Sequence, residues 1–130
     1  MAKVVATEQA PAAIGPYSQA VQAGPFLFTA GQIAIDPSTG KMTQGDTAAQ
    51  ARHVMENLRA VLAAADLSFA NVVKTTIFLA DMNQFSTVNQ VYGEYFASDP
   101  PARSTVQVAR LPLDAALEIE MIAYTGGEHK

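Results

Sequence analysis

The sequence contains no cysteine, which excludes disulfides, thiolate nucleophiles, iron–sulfur clusters and cysteine-ligated zinc and leaves the fold to stand on packing alone. Imidazoles are scarce as well. His53 and His129 are the only two, and neither lies in an HExxH pattern or a His/Asp cluster, so no metal site is expected. Basic residues are few: eight Lys and Arg stand against twelve Asp and Glu, for a net charge of −4. No Lys/Arg run could neutralise a row of phosphates, which disfavours general nucleic-acid binding. Long apolar runs are missing too. None approaches the ~20 residues that span a bilayer, and Met1–Val5 has no signal-peptide core, so the expected location is the cytoplasm and no membrane partner is expected.

What is present is 130 residues with 49% hydrophobic content, enough for one domain, residues 1–130, around a continuous core. The runs Val4–Thr7, Ser18–Val21 and Phe26–Ala30 favour β structure and are punctuated by Pro11, Gly15-Pro16 and Gly24-Pro25, predicting an N-terminal strand and a hairpin. Asp36-Pro37-Ser38-Thr39-Gly40 is a turn sequence. Thr47-Ala48-Ala49-Gln50 fits a capping box, and Ala51, Val54, Met55, Leu58, Val61, Leu62 and Ala65 recur at helical spacing. Val72–Leu79 reads as a strand. Phe85, Val88, Val91, Tyr92, Tyr95 and Phe96 read as a second helix that must stop near Asp99-Pro100-Pro101. Strands at about Ser104–Val108 and Leu117–Tyr124 follow, and Gly126–Lys130 reads as a frayed tail. The order predicts an α+β fold: a mixed sheet with both helices on one face and the other face uncovered, which implies oligomerisation.

Several residues could carry chemistry. Arg103 follows the stiff Pro100-Pro101-Ala102 lead-in, and its planar five-donor guanidinium suits bidentate carboxylate binding; a surface arginine or an interface ion pair is the plainer reading. In Leu117–Ala123, strand alternation puts Glu118, Glu120 and Ile122 on one face. A solvated face would explain the glutamates, but Ile122 and Tyr124 continue that face, so at least one carboxylate is expected in a partly buried pocket, where it could move protons. Tyr17, fixed by Gly15-Pro16, either covers a pocket or packs. Gly31, after Thr29-Ala30, permits close approach of a ligand or marks a bulge. Asn89 falls on the polar side of the second helix, to be solvated or to hydrogen-bond at an interface.

Four blocks together, Ile14-Gly15-Pro16-Tyr17-Ser18-Gln19-Ala20, Ala30-Gly31-Gln32-Ile33, Pro101-Ala102-Arg103-Ser104 with Val108-Ala109-Arg110-Leu111-Pro112, and Glu118-Ile119-Glu120, resemble the RidA/YjgF/UK114 family across nearly the whole chain. The resemblance implies a chorismate-mutase-like fold in a homotrimer around an internal barrel, with a ligand cleft at each subunit interface. It implies hydrolysis of reactive enamines and imines, such as 2-aminoacrylate and 2-iminobutanoate released by pyridoxal-phosphate enzymes, to 2-keto acids, with no cofactor of its own. Under it Arg103 becomes the carboxylate clamp and Glu118 the residue that positions the attacking water. Tyr17 would help close the cleft, the Gly31 amide would assist carboxylate binding, main-chain groups at Thr105 would orient imine and water, and Asn89 would line the neighbouring wall. Two positions depart from common family members: Ala30 stands where many have serine, and Thr105 where some have cysteine. Of these, Ala30 removes a hydroxyl contact from the binding position. Competing readings are a non-catalytic 2-keto-acid-binding or regulatory trimer, a ribonuclease or translation inhibitor, and a chaperone-like holdase.

Overall fold

The computed structural model describes residues 2–126; Met1 and the end of the expected frayed tail, residues 127–130, lie outside the described residues. Six strands, β1 (Lys3–Val5), β2 (Ala20–Ala23), β3 (Phe26–Thr29), β4 (Val72–Leu79), β5 (Ala102–Gln107) and β6 (Leu117–Tyr124), form one sheet in the order β1-β2-β3-β6-β4-β5. All neighbours are antiparallel except β4 and β5, which run parallel because α2 (Phe85–Gly93) carries the chain back between them. A parallel pair requires such a crossover.

The alternation of β6 divides the molecule. Leu117, Ile119, Met121 and Ala123 are fully buried beneath the helices, while Glu118, Glu120, Ile122 and Tyr124 face the other way. In β4 the same inner face carries Thr75, Ile77 and Leu79, after a bulge at Val73 that breaks the register between Val72 and Lys74. The long helix α1 (Thr47–Ala64) buries Ala51, Val54, Met55, Leu58, Val61 and Leu62 on one stripe, as their three- and four-residue spacing requires. With Val88, Val91 and Tyr92 of α2 they complete one core on the helix side. The sheet's other face stays open: Phe28 and Val106 are each 44% exposed, and Phe26 and Tyr124 are exposed beside them.

Several element boundaries differ from the sequence expectations. The N-cap of α1 is Asp46, whose carboxylate accepts from the Ala49 amide at 3.0 Å. The expected Thr47–Gln50 box is not used, because Gln50 turns its side-chain carbonyl to the Ala116 amide. Helix α2 ends at Gly93, well before the prolines, because Tyr95 and Phe96 donate three residues back, to Tyr92 and Gly93, in a tightened turn. Strand β2 begins two residues later than expected, since the preceding Gln19 side chain is occupied with the N-terminal segment. Strand β1 ends at Val5, because the Thr7 amide donates to that same side chain. Strand β5 begins at Ala102, two residues before the approximate start at Ser104, with Arg103 at its opening. The Asp36–Gly40 turn forms as its sequence predicts, with Asp36 Oδ1 accepting from Ser38 and Gly40 at φ +75°.

Candidate functional site

The candidate residues fall into two groups on opposite faces of the sheet. On the helix side, Arg103 pairs across the β4–β5 ladder with buried Thr75, so its side chain runs under α2. There its Nη1 donates to Asn89 Oδ1 at 2.7 Å, and its guanidinium carbon lies 5.0 Å from the Tyr92 ring centroid and 5.6 Å from that of Phe85. The two rings fix the plane of the fork through cation–π contact, and Asn89 fixes its rotation. Among the described residues no carboxylate pairs with it, so most of its five donors remain available. Tyr92 is itself anchored by a 2.7 Å hydrogen bond with Thr75. Burial pushes its phenol up, against the opposing pull of Thr75 and of the Arg103 charge. Pro100 and Pro101 line the open depression of about 440 Å³ into which Arg103 and Asn89 project.

Two residues beyond Arg103 on the same strand face stands Thr105, whose Oγ1 is buried without a hydrogen-bond partner among the described residues. Strand β5 is a sheet edge, so its outward main-chain groups are free for a ligand or a second chain.

On the open side, Glu118 lines a cleft of about 190 Å³ with Tyr17, Gly31, Ile33, Ile35 and Pro112. The apolar walls leave the carboxylate half-buried. Burial, and after it the Glu120 charge on the same face, pushes Glu118 above the ordinary glutamate range. Gly31 explains how the carboxylate reaches this position: a Cβ built there would meet Glu118 Oε2 at 2.5 Å and its Cδ at 2.7 Å. The close approach that glycine permits is made by Glu118 itself. The Gly31 amide has no acceptor among the described residues, while the neighbouring Ala30 amide donates to the Gln19 carbonyl at 2.8 Å.

The segment that leads into the cleft's outer wall, residues 7–11, is held by one side chain. Buried Gln19 accepts from the Thr7 amide at 2.6 Å and donates to the carbonyls of Thr7, Ala10 and Pro11. Tyr17 remains half-exposed, its hydroxyl accepting from the Ile14 amide at 3.4 Å.

The structure thus brings Tyr17, Gly31 and Glu118 together, with Ala30 adjacent, and separately Arg103, Asn89 and Thr105. It does not bring the two groups together within one chain. Phe85 and Tyr92 were legible only as helix-core spacing, and their role as the seat of Arg103 had no signal of its own. Gln19 lay inside a recognised block, but nothing in its spacing marked the four hydrogen bonds it makes. Among the described residues no group of three or more His, Asp or Glu side chains could hold a metal ion, and no helix is long and apolar enough to cross a membrane.

A six-stranded mixed sheet with two helices on one face, an arginine fork without a carboxylate partner on that side and a half-buried carboxylate on the other define a small α+β protein. The model of the Endoribonuclease L-PSP family matches residues 7–125, and the chain belongs to this family, that of the Rid proteins. It is 55% identical to a RutC family protein of Pyrococcus horikoshii over 124 residues, covering 95% of this chain and 98% of the relative. It is 51% identical to the 2-iminobutanoate/2-iminopropanoate deaminase of Salmonella typhimurium over 126 residues, covering 95% and 98%. Among solved structures it resembles E. coli TdcF with bound serine, at a TM-score of 0.90 and 47% identity, covering 94% of this chain and 98% of that one.

Proposed function

We propose that this chain is an imine deaminase that hydrolyses 2-iminobutanoate, 2-iminopropanoate and the enamines in equilibrium with them, 2-aminoacrylate included, to 2-keto acids and ammonia. The observation that carries the reading is the Arg103 fork, oriented by Asn89 and two rings yet unmatched by any carboxylate among the described residues. A 2-imino acid offers the matching carboxylate one bond from the carbon to be attacked. Relatives named as imine deaminases support the same substrate class.

Arg103 clamps the acid by two parallel charge-assisted hydrogen bonds. Ionised Glu118 takes a proton from water as the water oxygen bonds to the imine carbon, the C=N electron pair moves to nitrogen, and Glu118 passes that proton on to the nitrogen. The resulting carbinolamine then loses ammonia as Glu118 relays the hydroxyl proton to nitrogen and the C=O bond forms. No covalent nucleophile is required, because the imine is already electrophilic; fixing the acid and moving protons suffices. The free Gly31 amide and the outward main chain at Thr105 add donors and acceptors, Ala30 contributes no hydroxyl, and Tyr17 shields the cleft. The protein needs no cofactor for these steps.

Because Arg103 and Glu118 occupy opposite faces of one sheet, a complete site takes them from two copies. The exposed Phe26, Phe28, Val106 and Tyr124 support a homotrimer in which the three open faces turn inward as a barrel and each interface holds one site. Residues 1–130 act as one domain in it, working on a small molecule rather than on nucleic acid. A cytoplasmic setting is part of the same proposal.

The test adds purified protein to a threonine dehydratase reaction containing semicarbazide, which traps free imine. Wild type is expected to suppress the trapped product, and folded Arg103→Ala and Glu118→Ala to leave it unchanged. A second reading, a 2-keto-acid-binding trimer without turnover, draws on the same fork; it takes over if wild type leaves trapping unchanged but binds 2-ketobutyrate in a calorimeter.

A further inference from the structure

The contact between Gly31 and Glu118 depends on a fault in the register between β3 and β6. Phe28 pairs with Ile122, and beyond the strand Gln32 pairs with Ile119. Two residues of β6, Glu120 and Met121, therefore face three on the other side: Thr29, Ala30 and Gly31. One extra residue makes this a β-bulge. Thr29 and Gln32 are both buried, which leaves Ala30 and Gly31 as the pair that bulges toward the open face, where Glu118 lies.

Such a bulge strands a ladder donor, here the amide of buried Met121. Thr29 supplies the missing acceptor from its side chain: Oγ1 accepts from Met121 N at 2.9 Å. On the opposite side Ala30 is pinned to the Gln19 carbonyl. The bulge is thus closed by one hydroxyl and one amide, and only the hydroxyl belongs to a replaceable side chain.

We propose that Thr29 is a positioning residue for Glu118: its hydroxyl closes the bulge that lays the Gly31 backbone against the carboxylate, and so sets that carboxylate's orientation and its separation from water. The importance of this for turnover rests on the reading of Glu118 as the proton-moving group, whereas the positioning itself does not. The titratable and charged groups around Glu118 are Glu120 on its own strand and Tyr17 across the cleft; β4 presents Phe78 opposite it, with Lys74 two pairs further along on that face.

The experiment follows the Glu118 carboxyl by carbon-13 NMR titration of glutamate-labelled full-length protein, the signal being assigned by its loss in Glu118→Gln. Thr29→Val keeps the branched shape and removes the acceptor; Thr29→Ser keeps the acceptor. Glu118 in folded Thr29→Val is expected to titrate at lower pH than in wild type, closer to an ordinary glutamate, with Thr29→Ser restoring the wild-type midpoint. In imine hydrolysis Thr29→Val is expected to lose kcat about ten-fold with KM nearly unchanged, since the defect lies in orientation rather than in the Arg103 clamp. Should Thr29→Val fail to fold, Thr29→Ala is read by the same criteria. If wild type shows no imine hydrolysis, the titration still decides the role of Thr29, so the two readings fail separately. A wild-type midpoint in the variant lacking the hydroxyl, or an equal displacement in Thr29→Ser, overturns the proposal.

Discussion

A methyl group at residue 31 would occupy the place of the Glu118 carboxylate, 2.5 Å from Oε2. Gly31→Ala is therefore expected to push that side chain aside, and a misplacement of this order costs about 100-fold in kcat where the group moves protons; steady-state imine hydrolysis checks it against an unchanged circular dichroism spectrum. The raised Glu118 pKa carries a second expectation, on stability. The folded protein holds this proton more tightly than the unfolded chain, so stability falls as pH rises from the ordinary glutamate range through the folded value, and is undiminished below that range. Glu118→Gln should accordingly melt at higher temperature than wild type at neutral pH, and the gain should vanish at about pH 3.5. Because Glu120 is the lesser of the two causes, Glu120→Gln should move the acid limb of the pH–rate profile downward only in part. The sequence made the shared face of the two glutamates legible through alternation alone. Which of them is dehydrated was not legible, since that depends on Gly31 and on cleft walls drawn from residues 11–35 and 112.

At the scale of elements, legibility followed the strength of the local pattern. Strands β4 and β6 lie where β-branched content and alternation put them, and α1 carries its expected apolar stripe. The end of α2 was set by a tightened turn after Gly93 that competes with the more visible Asp99-Pro100-Pro101, and the start of α1 by Asp46, one residue ahead of the apparent box. Asp46→Ala removes an N-cap acceptor and should destabilise the protein by about 1 kcal/mol, a fall of a few degrees in Tm by calorimetry. Leu58→Ala, in the fully buried stripe of the same helix, should cost roughly 2–5 kcal/mol because the packed sheet and helices cannot collapse onto the cavity. The contrast between these two losses separates what caps the helix from what holds it to the sheet.

For the whole molecule, the decisive fact is that one sheet separates Arg103 from Glu118. Arg103 shares its face with Thr75 beneath α2, while Glu118 shares its face with Phe78 on the side the helices leave open. No side-chain motion carries one through the sheet to the other, so under the proposed mechanism a chain working alone would hold an acid or move a proton, but not both at one imine. If the site joins Arg103 of one copy to Glu118 of another, two inactive variants should repair each other. In a closed ring with one site per interface, a site is intact when its first subunit carries Glu118→Ala and its second Arg103→Ala. Random assembly from equal amounts makes that true of about one interface in four. Arg103→Ala and Glu118→Ala, co-expressed or unfolded and refolded together, should therefore recover about a quarter of the wild-type rate, and simple mixing of preassembled proteins should recover far less until subunits exchange. A mixture as inactive as its components, in rings shown by native mass spectrometry to contain both variants, would place Arg103 and Glu118 in separate sites.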